Sequence, residues 1–229
     1  MIVRVSPDDA EQLHTTARGR GLVLAVGHLL LHHPAVRRAK QLLDDGVLGT
    51  AQYFTTTRVS AGPPRAPGSA WWALAPHDVS LALHLYGATP VTVSATAGAY
   101  AAPDQDGAAF ATLQFADGRL AHLHVARYVA ETQRCSLLAG TRGTLSFDER
   151  DGERPLRLHR PGAPAAPPVT EVVPVDVVEP LQAQCAHFIA CAARGDTAGG
   201  NGAHALAVVR VLAAGARSMR AGGAPVEVA

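Results

Sequence analysis

The order of elements in this sequence predicts an α+β domain, in which a large, mostly antiparallel open β-sheet is covered by helices on one face. Three observations predict it. Helical stretches open the chain, short β-rich runs follow one another between residues 90 and 159, and two Ala-rich helical stretches, 179–194 and 201–221, close it. Strands that succeed one another at such short spacing pair as antiparallel neighbours.

Composition fixes the class and excludes several functions. The chain has 229 residues, 48% hydrophobic and 17% charged, enough for one domain with a substantial core plus part of a second. A net charge of +1 gives no steering toward nucleic acid or an anionic membrane. Lys40 is the only lysine, so a Schiff-base or phosphate-binding lysine has one candidate, on an amphipathic surface helix. No run of about 18 apolar residues is free of polar breaks, and the N-terminus turns acidic within ten residues; neither a membrane span nor a signal peptide is expected. Cys135, Cys185 and Cys191 lack CxxC spacing and read as reduced thiols of a cytoplasmic protein.

The elements follow in order. Ser6-Pro7-Asp8-Asp9 places a cap, a first-turn proline and two carboxylates at a helix start, and the helix should stop at Gly19 or Gly21. A short apolar strand, 22–26, comes next. Pro34 opens a second helix with Val36, Ala39, Leu42 and Leu43 at helical spacing and Gly46 as its stop. Residues 50–59 are rich in β-formers. A Gly/Pro loop, 61–69, leads into Trp-Trp-Ala-Leu-Ala-Pro-His-Asp, where Pro76 should begin a helix ending at Gly87. Strands are expected at 90–98, 108–116, 119–128, 133–139, 143–147 and 156–159, two of them joined by an Asp117-Gly118 hairpin turn. Residues 160–170 read as a Pro/Ala loop, and a last short strand, Pro-Val-Glu-Val, ends the pattern.

These words, in this order, resemble a known family. The segment 26–50 (VGHLLLHHPAVRRAKQLLDDGVLGT) is similar to the stretch that leaves the Rossmann domain in Gfo/Idh/MocA oxidoreductases. WALAPHDVSLALHLYG (72–87) resembles their catalytic helix, DGRLAHLHVARY (117–128) and LLAGTRGTLSFDE (137–149) two central strands, and 179–195 with 205–228 the closing helices. The resemblance implies two parts: residues 1–27 as a helix–strand remnant of a Rossmann domain, and 28–229 as a substrate-binding and oligomerisation domain.

The departures from the family pattern shape the functional expectation. No Gly-rich phosphate loop follows a strand; Gly199-Gly200-Asn201-Gly202 fits a loop between two helices. Where the family carries Glu-Lys-Pro, just before Ser6, this chain reads Met-Ile-Val-Arg-Val, and the family's Asp four residues before the histidine is Ala73. His77 and Asp78 remain. No nicotinamide cofactor is therefore expected, unless an oligomer or a partner rebuilds the nucleotide site.

The resemblance makes His77 the acid/base. Placed in the first turn of a helix opened by Pro76, its imidazole would be kept neutral by the helix dipole; the plainer reading is a structural histidine. Asp78 is expected to cap that helix start and stands beside it as a candidate for contact with substrate. His28 follows the 22–26 strand and either lines a pocket or bonds to backbone, while His32 and His33 read as helix-entry residues. Arg58 stands where relatives have an arginine beside substrate, and Trp72, with Trp71, either stacks on a ring-shaped ligand or packs in the core. His122 and His124 share one strand face; a metal there lacks a third ligand, so they read as sheet histidines, with His124 touching substrate. Arg127, Tyr128, Val129 and Ala130 replace the family's Trp-Leu-Asp-Pro, which leaves Tyr128 as a pocket residue of unassigned specificity.

These readings converge on an enzyme for a sugar-like or cyclic small metabolite, using His77 for cofactor-independent elimination, isomerisation or cyclisation. Two rivals stand beside it: the C-terminal part of an NAD(P)-dependent sugar oxidoreductase, and a non-catalytic partner of a full-length relative. A homo-oligomer is expected through the sheet face, the N-terminal segment, or both, because a lone strand at 22–26 would leave apolar surface bare.

Overall fold

Ser6 starts the chain's first helix as its sequence predicts. Its Oγ accepts the Asp9 amide at 3.1 Å, and α1 runs Pro7–Gly19. The computed structural model describes residues 6–61, 68–102, 105–162, 166–197 and 199–229. The Met-Ile-Val-Arg-Val stretch and most of the 61–69 loop therefore lie outside the described residues.

The strand expected at 22–26 does not form; the segment belongs to no ladder among the described residues. The physical reason is that, among the described residues, no strand pairs with it. The Asn201 carboxamide takes that place, accepting the Val26 N–H at 2.7 Å and donating to the Val26 carbonyl at 2.8 Å. A 3-10 turn, Leu29–His32, absent from the sequence reading, connects to α2 (Pro34–Asp44), whose first turn is capped by the His33 ring.

A nine-stranded sheet carries the domain. Its strands are β1 (Ala51–Ala61), β2 (Thr92–Ala102), β3 (Gln105–Gln114), β4 (Leu120–Val129), β5 (Gln133–Gly140), β6 (Thr144–Asp148), β7 (Leu156–Arg160), β8 (Val169–Val172) and β9 (Val226–Glu227). They lie in the order β8-β7-β6-β5-β1-β4-β3-β2-β9. Every pairing is antiparallel except that of β1 with β4, which run parallel at the centre. The α+β class and the open, mostly antiparallel sheet are as the sequence predicts. β8 was missed because Pro/Ala residues flank it and it is an exposed edge strand with no inward face for an alternating pattern to mark.

Period-2 alternation sorts each strand between two faces. On β1, Phe54, Thr56 and Arg58 are buried beneath helices, while Tyr53, Thr55 and Thr57 point to the other side. The covered face packs against α3 (Ala70–Tyr86) and α5 (Gly202–Arg220); α4 (Pro180–Arg194) lies further out and buries only Cys191.

The start of α3 corrects the sequence reading. The helix begins at Ala70, with Ser69 Oγ accepting the Trp72 amide at 3.2 Å, and Pro76 lies inside it. An internal proline costs about 3 kcal/mol. It is outweighed because the turn before it is anchored by Trp71, 1% exposed, whose Nε1 donates to the Leu212 carbonyl at 2.9 Å. Gly215 of α5 makes room for that indole: a Cβ there would stand 2.3 Å from Trp71 Cζ2. The helix ends at Gly87 with φ of 61°, as the sequence indicates.

Candidate functional site

Four charged side chains meet under the covered face near the C-terminal end of β1. Arg58 Nε lies 3.1 Å from both oxygens of Asp78, Thr56 Oγ1 donates to Asp78 at 3.0 Å, and Arg58 Nη1 donates to Glu149 at 2.9 Å. Arg134 Nη1 donates to the other Glu149 oxygen at 3.0 Å. Two arginines and two carboxylates thus form an alternating chain, and Arg58 Nη2 has no hydrogen-bond partner among the described residues.

Asp78 therefore does not cap a helix start. It is mid-helix, fully buried, and holds Arg58. Burial pushes its carboxyl up to about 6, against the pull of Arg58 and the Thr56 hydroxyl, so it is still ionised at neutral pH. Burial alone would raise Glu149, but Arg58 and Arg134 outweigh it and hold that carboxyl below the usual range. Both carboxylates likewise keep the buried Arg58 charged.

His77 precedes Asp78 on α3 and is partly buried beside this chain of charges. Its imidazole is kept neutral, as expected, though not by the helix dipole, since the helix starts seven residues earlier. Burial is the first cause and the Arg58 guanidinium the second, with Glu149 opposing. A neutral imidazole next to a fixed guanidinium can take a proton from a hydroxyl while the arginine steadies the resulting oxyanion.

Behind His77 lies a group of imidazoles, one buried and two partly buried. His28, 6% exposed, meets the His204 ring edge-on at 5.3 Å, and its pKa is pulled down to about 3 by burial, then by His204 and His77. Ser80 Oγ stands 2.8 Å from His204 Nε2, and His84, further along α3, is pulled down to about 4 by burial first and His204 next. Trp72, from the same helix, lines a chamber of about 260 Å³ together with His28.

Tyr128 lies at the end of β4, where the register with β1 slips between Ser60 and Ala61. Its φ of 66° is left-handed, a strained conformation for an aromatic residue, and the Arg127 guanidinium lies 5.1 Å from its ring. His124 is not brought to His77. It pairs in register with Thr57 on the opposite face of the sheet and stacks on Phe110 at 4.5 Å, while His122 bonds Thr112 on that same face. Among the described residues no three His, Cys, Asp or Glu side chains gather as a metal site.

Glu149, Arg134 and His204 were not singled out by the sequence reading. A sequence signal existed for one of them: Leu145 and Phe147 of β6 share their parity with Glu149 just beyond it. Arg134 is placed by strand register alone, as the partner of Arg58. His204 had none, since only tertiary packing brings the first turn of α5 to His28.

A nicotinamide nucleotide needs a Gly-rich turn between a strand and a helix, with free amides aimed at its phosphates. The described residues do not fit it. The Gly199–Gly202 turn follows α4 rather than a strand, and its glycines serve close packing: a Cβ on Gly200 would stand 2.6 Å from the Leu24 carbonyl, and one on Gly202 2.8 Å from His14 Nδ1. Asn201 is engaged with Val26.

Comparison with known proteins agrees with this architecture. Residues 36–146 match the sequence model of the GFO/IDH/MocA C-terminal domain. The chain is 26% identical over 164 residues to a 2,7-anhydro-N-acetylneuraminate hydratase of Mediterraneibacter gnavus, covering 65% of this chain and 44% of that protein. It is 34% identical over 128 residues to the UDP-N-acetylglucosamine 3-dehydrogenase of Acidithiobacillus ferrooxidans, covering 56% and 39%. The chain thus spans less than half the length of these curated relatives. A crystal form of the latter enzyme superposes with a TM-score of 0.82 at 26% identity, over 94% of this chain and 68% of that one. A levoglucosan dehydrogenase in complex with NADH and L-sorbose gives 0.85 at 18% identity, over 99% and 71%, a likeness of fold.

Proposed function

The chain belongs to the Gfo/Idh/MocA family through its C-terminal domain, and on that premise we propose that it acts on a sugar-like small molecule by acid/base chemistry at His77. One observation carries the reading: a neutral, partly buried imidazole beside a guanidinium that Asp78 and Glu149 hold in place. In the proposed step His77 accepts a proton from a substrate hydroxyl or an activated C–H. Arg58 Nη2 bonds the oxygen on which charge develops, and Asp78 and Glu149 keep the guanidinium from following it. Where the proton comes from an activated C–H, its return from His77 to a different atom completes an isomerisation; its transfer from His77 to a neighbouring hydroxyl, which leaves as water as the double bond forms, completes an elimination. Neither needs a redox partner, in keeping with described residues that do not fit a phosphate cradle. The proposal includes self-association through the open sheet face, where Tyr53, Phe110 and Leu120 stand exposed.

The test is turnover of a panel of anhydro-sugars, ketosugars and nucleotide sugars, followed by proton exchange into deuterated water. His77→Ala should lower the rate about 10²- to 10⁴-fold. Unchanged exchange in that variant would refute the mechanism. A second reading, a nicotinamide-dependent dehydrogenase, is favoured by the 34% identity to an enzyme named as one. Calorimetric titration with NAD+, NADH, NADP+ and NADPH separates the two: binding below millimolar restores the dehydrogenase, and its absence leaves the cofactor-independent reaction.

A further inference from the structure

Two arginines face each other across the sheet beside His77. Arg58 of β1 and Arg134 of β5 are register partners, and like charges set directly opposite one another destabilise a sheet. Glu149 resolves the conflict: one of its oxygens accepts Arg58 Nη1 at 2.9 Å and the other accepts Arg134 Nη1 at 3.0 Å. The two guanidiniums are thus spaced so that one carboxylate can bridge them.

They keep donors in hand. Arg58 Nη2 and Arg134 Nη2 have no hydrogen-bond partner among the described residues, and neither is among the side-chain atoms buried there without one. Arg134 Nε is among those atoms, so this guanidinium is closed off at its stem and open at its tip. Both oxygens of Asp78 and both of Glu149 already accept from an arginine. What the ionic chain has left to offer is donors.

The placement of charge agrees. Two cations and two anions cancel in sum but not in position. The Asp78 side chain is fully buried and that of Glu149 is 19% exposed, whereas that of Arg134 is 41% exposed. The outer end of the chain is therefore its positive end. His77 stands beside it: burial first, then Arg58, and Arg134 against an opposing Glu149, keep its imidazole neutral, so both guanidiniums act on its ring. A carboxylate meets two such donors with two oxygens and has no proton of its own to place. A phosphate would bring a second negative charge toward Glu149.

We propose that Arg134 is a specificity-determining residue, and that its Nη2 and that of Arg58 bind the carboxylate of a sugar acid whose adjoining carbon faces His77. The carboxylate site stands by itself; its link to the reaction rests on the acid/base reading of His77. In that reaction His77 takes the proton from the carbon that bears the carboxylate. The electron pair moves onto the carboxylate, where the two guanidiniums steady the added charge. The pair then forms a carbon–carbon double bond as the hydroxyl on the next carbon leaves, taking the proton from His77 to become water.

Glucuronate, glucuronamide and glucose 6-phosphate are the probes, titrated by calorimetry against the 229-residue chain. Glucuronate should saturate at millimolar concentration, and glucuronamide, the same ring without the charge, should bind about 10- to 100-fold more weakly. Arg134→Gln, its fold checked by circular dichroism, should remove that preference and leave the amide's affinity as it was. Arg134→Lys should restore only part of it, because an ammonium lacks the fork. Glucuronate that binds no better than the amide, or less tightly than glucose 6-phosphate, would overturn the site, and both results need only the parent chain. A preference untouched by Arg134→Gln would overturn it too. The His77 ring signal, assigned in NMR spectra with His77→Ala, should shift with glucuronate; a signal that stays put severs the site from the reaction. The two readings fail separately. If His77→Ala leaves proton exchange unchanged while Arg134 still selects glucuronate, the acid/base reading falls and the carboxylate site stands. If turnover of uncharged sugars needs His77 and Arg134→Gln changes nothing, the site falls and His77 keeps its role.

Discussion

The two faces of the central sheet are made from the same strands and do opposite things. On β1, Phe54, Thr56 and Arg58 face the helices and are buried; Tyr53, Thr55 and Thr57, one residue out of phase, face outward. The covered side encloses a guanidinium and a carboxylate together, and the open side carries aromatic rings, threonines and two histidines at ease near water. The difference teaches that a polar residue type says little until its strand parity is known. His124 and Arg58 are equally conspicuous in the sequence, yet only Arg58 shares a face with α3.

The largest effect should come from breaking the covered face at its charged centre. Asp78→Ala leaves Arg58 buried with one of its two carboxylates gone and should cost about 3–5 kcal/mol in chemical denaturation. The same truncation at Thr57, one residue from Arg58 but on the open face, should stay within about 0.5 kcal/mol. Equal losses at the two positions would end the distinction.

Acid should act through the imidazoles behind the covered face. His28 is neutral in the fold with a pKa of about 3, while in the unfolded chain it titrates near 6.5. The unfolded state therefore binds more protons between those values, and stability is lost as pH falls from 6.5 toward 3. At pH 5 the loss from this group is about 2 kcal/mol. Asp78, raised to about 6, works in the opposite direction, so the comparison must be with His28→Asn, whose denaturation midpoint should fall less between pH 7 and pH 5 than the parent's. An identical slope in the variant removes His28 from the account.

On the open face, the paired substitution Tyr53→Glu with Phe110→Glu should convert an assembly to monomers in light scattering while leaving the circular dichroism spectrum unchanged. A parent chain that is already monomeric at micromolar concentration refutes association through this face. The smallest effect is reserved for His124→Ala: turnover within about twofold of the parent, against the large loss expected for His77→Ala. Comparable losses would mean that the reaction uses the open side after all.

Much of this fold is legible in the sequence because its signals are local. Ser6-Pro7 announces α1, Pro34 and the Val36/Ala39/Leu42 spacing announce α2, and Asp117-Gly118 announces the β3–β4 turn. The failures share a cause, which is that a distant partner decided the matter. Pro76 reads as a helix start, yet Leu212, far along the chain, anchors Trp71 and carries the helix back to Ala70. Residues 22–26 read as a strand, yet among the described residues they pair with no strand, and Asn201 bonds Val26 instead. At the site, Arg58 and His77 could be named from the resemblance. That Asp78 holds the arginine rather than a helix end, and that Glu149 and Arg134 complete the ionic chain, depends on register between strands that no local window contains.

The parallel pairing at the centre of the sheet has a consequence for how the chain is made. β1 lies between β4 and β5, and both are encoded after it; Gly140 comes 79 residues after Ala61. At a synthesis rate of about 5–20 residues per second, β1 emerges roughly 4–16 s before its second neighbour exists. For most of that interval, until β4 is made, a strand destined for the middle of the sheet has two bare edges, and one thereafter. Nascent chains should thus pass through a window in which β1 is open to a chaperone, or to the β1 of another copy.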